Sequence, residues 1–193
     1  VGDRLVAQFW TLVNLAVTDS PRGEDAILVA VQSTIAGRPG VLPTARALSQ
    51  FGEHSAGWVG VSLLGALVSR RRRRDWIAAG VGAFVAHAVA VVIKRIVKRE
   101  RPDHPSISVN VGTPSKLSFP SAHATSTTAA SILLGRATGL PLVWLLIPPM
   151  ALSRLVLGVH YPSDVLTGVA VGAVVAKAVE AVADRGEGRS CTR

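Results

Sequence analysis

The chain has one cysteine, one methionine and one tyrosine among its 193 residues, and only 12 acidic side chains. The lone Cys191 cannot close an internal disulfide and stands in no metal-ligand spacing, so a disulfide scaffold and a thiolate metal centre are excluded. Charge as a whole is scarce: 17% of residues are charged, against roughly 25% in ordinary soluble domains. Hydrophobic residues reach 49%, yet no apolar run is free of small or polar punctuation. The first residues lack the basic, apolar and small-residue order of a signal peptide. No repeat with a period of roughly 20–50 residues is present. The length suits one domain, and the balance predicts a polytopic helical membrane protein rather than a single-span anchor.

What charge there is leans positive, to a net +9. Nucleic acid is one partner such a balance suggests. The placement argues against it. The cations gather in Arg70 to Arg74 and in "KRIVKRER", Lys94 to Arg101, at the ends of apolar segments. There they set topology or meet lipid phosphates. No nucleic-acid partner is expected.

Residues 4–18 carry apolar positions at helical spacing but are short for a span, which needs ~20 residues. Residues 24–36 and 43–51 read as two short helices split by "GRPGVLP", lying at the membrane surface or against the spans. Five apolar helices are expected over 54–69, 75–93, 121–136, 140–157 and 163–182. Their Gly, Ala, Ser and Thr content allows close approach in lipid. The expected division is an interfacial N-terminal part (1–52), a transmembrane core (53–183) and a polar tail (184–193).

Five consecutive arginines after the first span should stay cytoplasmic. Alternation then puts Lys94 to Arg101, Ser121 to His123 and Arg154 to Asp164 together on the other face. Three stretches converge there: "KRIVKRERP", "FPSAHATS" and "SRLVLGVHYPSD". Ionisable groups at span ends are expensive unless used, so a functional site is the default reading.

Lys94, Arg101 and Arg154 suit a phosphate monoester, arginine as a planar fork and lysine as a point charge. Interfacial anchoring is the plainer account of Lys94 and Arg101. Ser121 can cap a helix whose N-terminus offers an anion site, with His123 in its first turn as a general acid. A capping serine with a polar-face histidine explains the same residues. Asp164 follows His160 by four positions across a helix start. Its carboxylate can fix one ring nitrogen and leave the other free to attack, unless the two are only a capping pair. His54, His87 and His104 read as structural, His87 as a satisfied core histidine within a span. "RPDHP" is too thin for a metal site.

In order, Lys94 to Arg101-Pro102, Pro120-Ser121-Ala122-His123, and Ser153-Arg154 to His160 to Asp164 resemble the signature of the type 2 phosphatidic acid phosphatase (lipid phosphate phosphatase) superfamily. The resemblance covers about residues 54–182. It implies an all-α transmembrane helical bundle of that type, with the site near the membrane surface. It implies that His160 attacks phosphorus to form a phosphohistidine, that Asp164 activates it and that His123 protonates the leaving group. Lys94, Arg101, Ser121 and Arg154 would hold the phosphate, with no metal or other cofactor. Ala122 departs from the family pattern, which has glycine there. Within the family, the compact size and "LSFPSAHATSTTAASILLGR" look most like actinobacterial decaprenylphosphoryl-phosphoribose phosphatases.

The expectation is thus a metal-independent phosphoric monoester hydrolase of the plasma membrane, its site on the non-cytoplasmic face. Its substrate would be a polyprenyl-phosphate lipid used in making the arabinan precursor, with enzymes of that pathway as partners. Prenyl diphosphate and phosphatidylglycerophosphate are alternative substrates. A non-catalytic lipid-binding scaffold explains the charge equally well, but not the two histidines and the aspartate placed with three cations.

Overall fold

The computed structural model describes residues 21–190. The expected helix at 4–18 lies outside the described residues. Among the described residues seven α-helices follow one another: α1 Glu24–Val31, α2 Val41–Gly52, α3 Ala56–Val68, α4 Arg73–Val97, α5 Ala122–Thr138, α6 Leu142–Val156 and α7 Pro162–Ser190. A π-helical turn, Gln32–Ala36, continues α1, and a 3₁₀ turn, Glu53–Ser55, joins α2 to α3. Among the described residues there is no strand, only an isolated bridge between Glu100 and Leu117. All five expected apolar helices are present. The last runs to Ser190 rather than stopping near 182.

The bundle is built around α5, which packs against α4, α6 and α7. Its sequence explains the position. Thr125 to Ser131 are all buried, and every one of them is alanine, serine or threonine. Two of their hydroxyls are satisfied within the helix, Thr125 Oγ1 donating to Ser121 O at 2.8 Å and Ser131 Oγ to Thr127 O at 2.6 Å, while Thr127 Oγ1 accepts from Trp58 Nε1 at 3.1 Å and Thr128 Oγ1 is buried without a partner. Small side chains let neighbouring backbones close in. Gly168 and Gly172, one turn apart on α7, lie directly against Ser121 and Thr125, where a Cβ would strike their carbonyls.

Large apolar side chains point the other way. Leu64, Leu67, Phe84, Trp144, Leu166 and Val174 are exposed on α3, α4, α6 and α7. Buried small residues and exposed large apolar ones suit a bundle that faces hydrocarbon. Arg73–Val97 and Pro162–Arg185 are long and apolar enough to cross a membrane. The other apolar helices are shorter.

The two ends of the bundle differ in charge chemistry. At one end Arg136 pairs with Asp184 (2.6 Å) and Asp75 (3.4 Å), tying α5 to α7 and α4. The arginine run begins α4 at this end. Lys94 lies 21 residues further along the same helix, about 30 Å away. That end holds the cavity.

Candidate active site

Three helices and two connecting segments bring the motif residues to one place. Lys94 comes from the last turn of α4, and Arg101 from the loop after it. His123 sits in the first turn of α5, Arg154 in the last turn of α6, and His160 in the link to α7. All five line one cavity of about 340 Å³. Each is locally explicable. Ser121 caps α5 with its Oγ accepting from Ala124 N (3.4 Å), so His123 enters in helical register. Pro162 opens α7 as its first residue, where its missing N–H leaves no helical bond unmade.

His160 is 3% exposed. Its Nε2 lies 3.4 Å from an Arg101 guanidinium nitrogen. Arginine only donates, so Nε2 presents its lone pair there and the ring hydrogen belongs on Nδ1. Nδ1 has no hydrogen-bond partner; its nearest acidic atom is Asp164 Oδ2 at 3.6 Å. Burial holds the His160 imidazole well below its usual range, and Arg101, Lys94 and Arg154 push the same way. The ring is therefore neutral at neutral pH, the form a nucleophile needs.

The cations are themselves held by carbonyls and hydroxyls. Lys94 Nζ donates to Leu117 O (3.0 Å) and Ser118 O (2.9 Å). Arg101 donates to Ser115 O (2.8 Å) and to Val159 O. Arg154 is 1% exposed and donates to Ser153 Oγ and Ser49 Oγ, each at 3.1 Å. Its Nη2 has no partner. A buried guanidinium nitrogen without an acceptor, beside a cavity with two more cations, fits an anion. His123 Nε2 lies 2.9 Å from Ser49 O, which can only accept, so Nε2 carries a hydrogen. Among the described residues no three His, Cys, Asp or Glu side chains are grouped as a metal would require.

Two expected site residues stand behind the cavity wall rather than on it. Ser121 is fully buried, with its hydroxyl on Ala124 N and its own N–H on Asp164 O at 2.9 Å. Asp164 is fully buried as well. Its Oδ2 accepts from Tyr161 N at 2.8 Å and its Oδ1 from Arg99 at 3.0 Å. Ala122 is the first residue of α5, lines the cavity and has no left-handed φ, so the backbone does not require the family's glycine.

Sequence reasoning missed Arg99 and Glu24. Arg99 also donates to Ser163 Oγ (2.6 Å) and Glu24 (2.6 Å), and its guanidinium lies 4.1 Å from the Tyr161 ring centre. Glu24 accepts from Ser163 N (2.8 Å) at the start of α7. Burial alone would raise the Glu24 carboxyl, but the bonds from Arg99 and Ser163 hold it below its usual range. His87 corrects a second expectation. It is not a satisfied core histidine: it lines the cavity, and its Nδ1 is buried without a partner.

Comparison with known proteins places these motifs. Decaprenylphosphoryl-5-phosphoribose phosphatase of Mycobacterium tuberculosis is 66% identical over 174 residues, covering 90% of this chain and 97% of that one. The protein of the same name in Mycolicibacterium smegmatis is 71% identical over 152 residues, covering 79% and 84%. In fold, the chain is similar to the transmembrane PAP2 type phosphatidylglycerolphosphate phosphatase of Bacillus subtilis. The TM-score is 0.67 at 18% identity, over 93% of this chain and 96% of that one. It is also similar to Aquifex aeolicus LpxE, with a TM-score of 0.59 at 17% identity over 80% and 92%. The PAP2 superfamily model matches residues 75–185, which hold every one of the motif residues from Lys94 to Asp164, and the chain belongs to that superfamily.

Proposed function

We propose that the protein is a metal-independent lipid phosphate phosphatase that converts decaprenylphosphoryl-5-phosphoribose to decaprenylphosphoryl-ribose and inorganic phosphate. The observation that carries this is the single cavity on which His160, His123, Lys94, Arg101 and Arg154 converge, with Asp164 behind His160. The substrate comes from the two relatives at 66% and 71% identity.

The chemistry follows from the placement. Lys94, Arg101 and the free Nη2 of Arg154 take the phosphate oxygens and stabilise the charge spread over them in transfer. His160 Nε2 attacks phosphorus, and the bond from phosphorus to the sugar C5 oxygen breaks. The dianion favours protonated His123, which then has one N–H on Ser49 and a second for the leaving oxygen. Asp164 faces the Nδ1–H and stabilises the positive charge that His160 gains. In the second half, His123 accepts a proton from water, the water oxygen attacks phosphorus, and the N–P bond breaks to release phosphate and restore His160. Arg99, anchored by Glu24, keeps the Asp164 carboxylate turned to the ring. Ser121 acts by placing His123 rather than by touching phosphate.

The same reading puts the cavity on the outer face of the plasma membrane, because the arginine run occupies the opposite end of α4 and favours the cytoplasm. The test is phosphate release by detergent-purified protein in the presence of a chelator, with acid-labile label trapped on the enzyme from labelled substrate. Release and label are expected from wild type, and neither from His160→Ala. Full activity in His160→Ala would sink the mechanism. Preference for a prenyl diphosphate would keep the mechanism and change the substrate. No release from either lipid would favour the scaffold.

A further inference from the structure

The phosphate-binding cations occupy one part of the cavity. Another part is lined by Glu53, His54 and His87, which the phosphoryl transfer above leaves unused. His87, Val91, Lys94 and Arg95 all line the cavity from α4, at offsets of four, seven and eight residues, so they form one stripe. His87 precedes Lys94 by seven residues, which puts it about 10 Å further from the α4 C-terminus. The His54 ring centre is 5.7 Å from that of His87. Glu53 links this pair to the reaction centre, with Oε1 3.4 Å from His54 Nδ1 and Oε2 3.9 Å from His123 Nε2.

Two features show that the cluster is built rather than incidental. Its backbone is strained: His54 (φ 48°) and Ser55 (φ 59°) are consecutive non-glycine residues in the left-handed region. Such conformations are unfavourable and gather at ligand sites. And His87 Nδ1 is buried without a hydrogen-bond partner on a helix long and apolar enough to cross a membrane. Polar side chains at that depth are retained where a ligand or a pathway uses them.

The chemistry selects the occupant. A second anion is repelled by Glu53, and an alkyl tail gains nothing from a carboxylate and two imidazoles. A hydroxyl satisfies both, donating to Glu53 and exchanging a hydrogen bond with a neutral imidazole. We propose that Glu53, His54 and His87 form a polyol subsite that binds the ring hydroxyls of a sugar lying between the scissile phosphate and the lipid tail. The cavity, at about 340 Å³, falls within the range of ligand pockets and exceeds the needs of a phosphate alone. The subsite rests on the phosphoribosyl lipid proposed above as substrate. It adds which residues distinguish that lipid from a phosphate ester without a sugar.

The experiment compares kcat/KM for decaprenylphosphoryl-5-phosphoribose, its 2-deoxy and 3-deoxy sugar analogues, and decaprenyl phosphate, which has no sugar. The enzymes are wild type, Glu53→Gln, His87→Leu and His87→Gln, each checked for an unchanged melting temperature. The readout is the ratio of activity on the ribosyl lipid to activity on decaprenyl phosphate. One lost hydrogen bond to a substrate hydroxyl should lower that ratio about tenfold in His87→Leu or Glu53→Gln, with His87→Gln intermediate. Removing the matching hydroxyl should cost wild type a similar factor and cost the variant much less.

Ratios within about twofold of wild type in both His87→Leu and Glu53→Gln would overturn the subsite while leaving the phosphoribosyl substrate in place. Should a variant fail to fold, the deoxy analogues decide on wild type alone: no loss with either overturns the subsite. Wild type that does not prefer the ribosyl lipid would overturn the substrate assignment and the subsite with it.

Discussion

Arg99 and Asp164, sixty-five residues apart in the chain, meet at 3.0 Å, and that contact fixes the carboxylate whose other oxygen faces His160. Arg99 does not line the cavity that holds His160. It connects to His160 through Asp164, and its other terminal guanidinium nitrogen donates to Glu24.

Loss of that hold should slow the chemistry more than it weakens binding. A hydrogen bond to a charged group supports a fall in kcat of about 10- to 100-fold for Arg99→Gln, with a smaller fall for Glu24→Gln. KM should change little, since neither side chain faces substrate. The double variant should lose less than the sum of the two singles, because both act on one carboxylate. Steady-state kinetics on the four proteins check this. A KM effect with unchanged kcat would show that Arg99 binds substrate instead.

Asp164→Asn keeps the shape and removes the charge behind the nucleophile. The amide presents its donors as readily as its oxygen to Nδ1, so the tautomer with a free Nε2 lone pair is no longer favoured. In serine hydrolases the equivalent change costs ~10⁴ in kcat. A loss of that order is expected in single-turnover phosphate release, with labelled phospho-enzyme formed correspondingly slowly.

His160 makes stability depend on pH. The unfolded imidazole takes a proton at about pH 6.5, whereas the native ring, held well below that range, stays neutral. Below pH 6.5 the unfolded state therefore binds more protons, and native stability falls with pH until the native ring titrates. The slope from one such group is about 1.4 kcal/mol per pH unit. Melting curves in detergent between pH 7 and pH 5 should show a fall that His160→Gln makes shallower. An equal slope in the two proteins would show that His160 does not carry it.

Gly172→Val tests the centre of the bundle. A side chain there meets the Thr125 carbonyl and the Thr128 side chain, so α7 and α5 must separate. Overpacking of this kind costs roughly 1–3 kcal/mol. The melting temperature should drop, and activity should fall with it, since Asp164 and His123 sit on those two helices. A variant as stable as wild type would show that the two backbones are not in close contact.

The sequence revealed the cavity residues because the motifs place them at helix ends, where spacing fixes direction. His160 and Asp164 straddle the start of α7, and His123 follows its cap by two positions. It did not reveal Arg99, because "KRIVKRERP" offers five cations and only one meets a glutamate that lies 75 residues away. Nor did it show that Ser121 is turned inward, since a capping serine and a phosphate-binding serine occupy the same position in sequence. His87 looked like core because its neighbours are apolar; that one flank of its helix opens onto a cavity is a property of packing. The helical ends of 24–36 and 43–51 were legible from "GRPGVLP", but not their polar contacts with the catalytic loops.

Those contacts mean that the unit holding the motif residues in place is larger than the stretch that carries the signature. Gln32 bonds both the peptide of Ser108 and the carbonyl of Val156, Arg46 reaches Asn110 O, and Ser49 touches His123 and Arg154. Protein trimmed to residues 53–193 would keep all three motifs intact, yet Arg99 would lose the Glu24 carboxylate that anchors it behind Asp164, and His123 would lose the Ser49 carbonyl that holds its Nε2. Substitutions among residues 24–49 are thus a route by which activity is tuned or lost while the signature reads as unchanged.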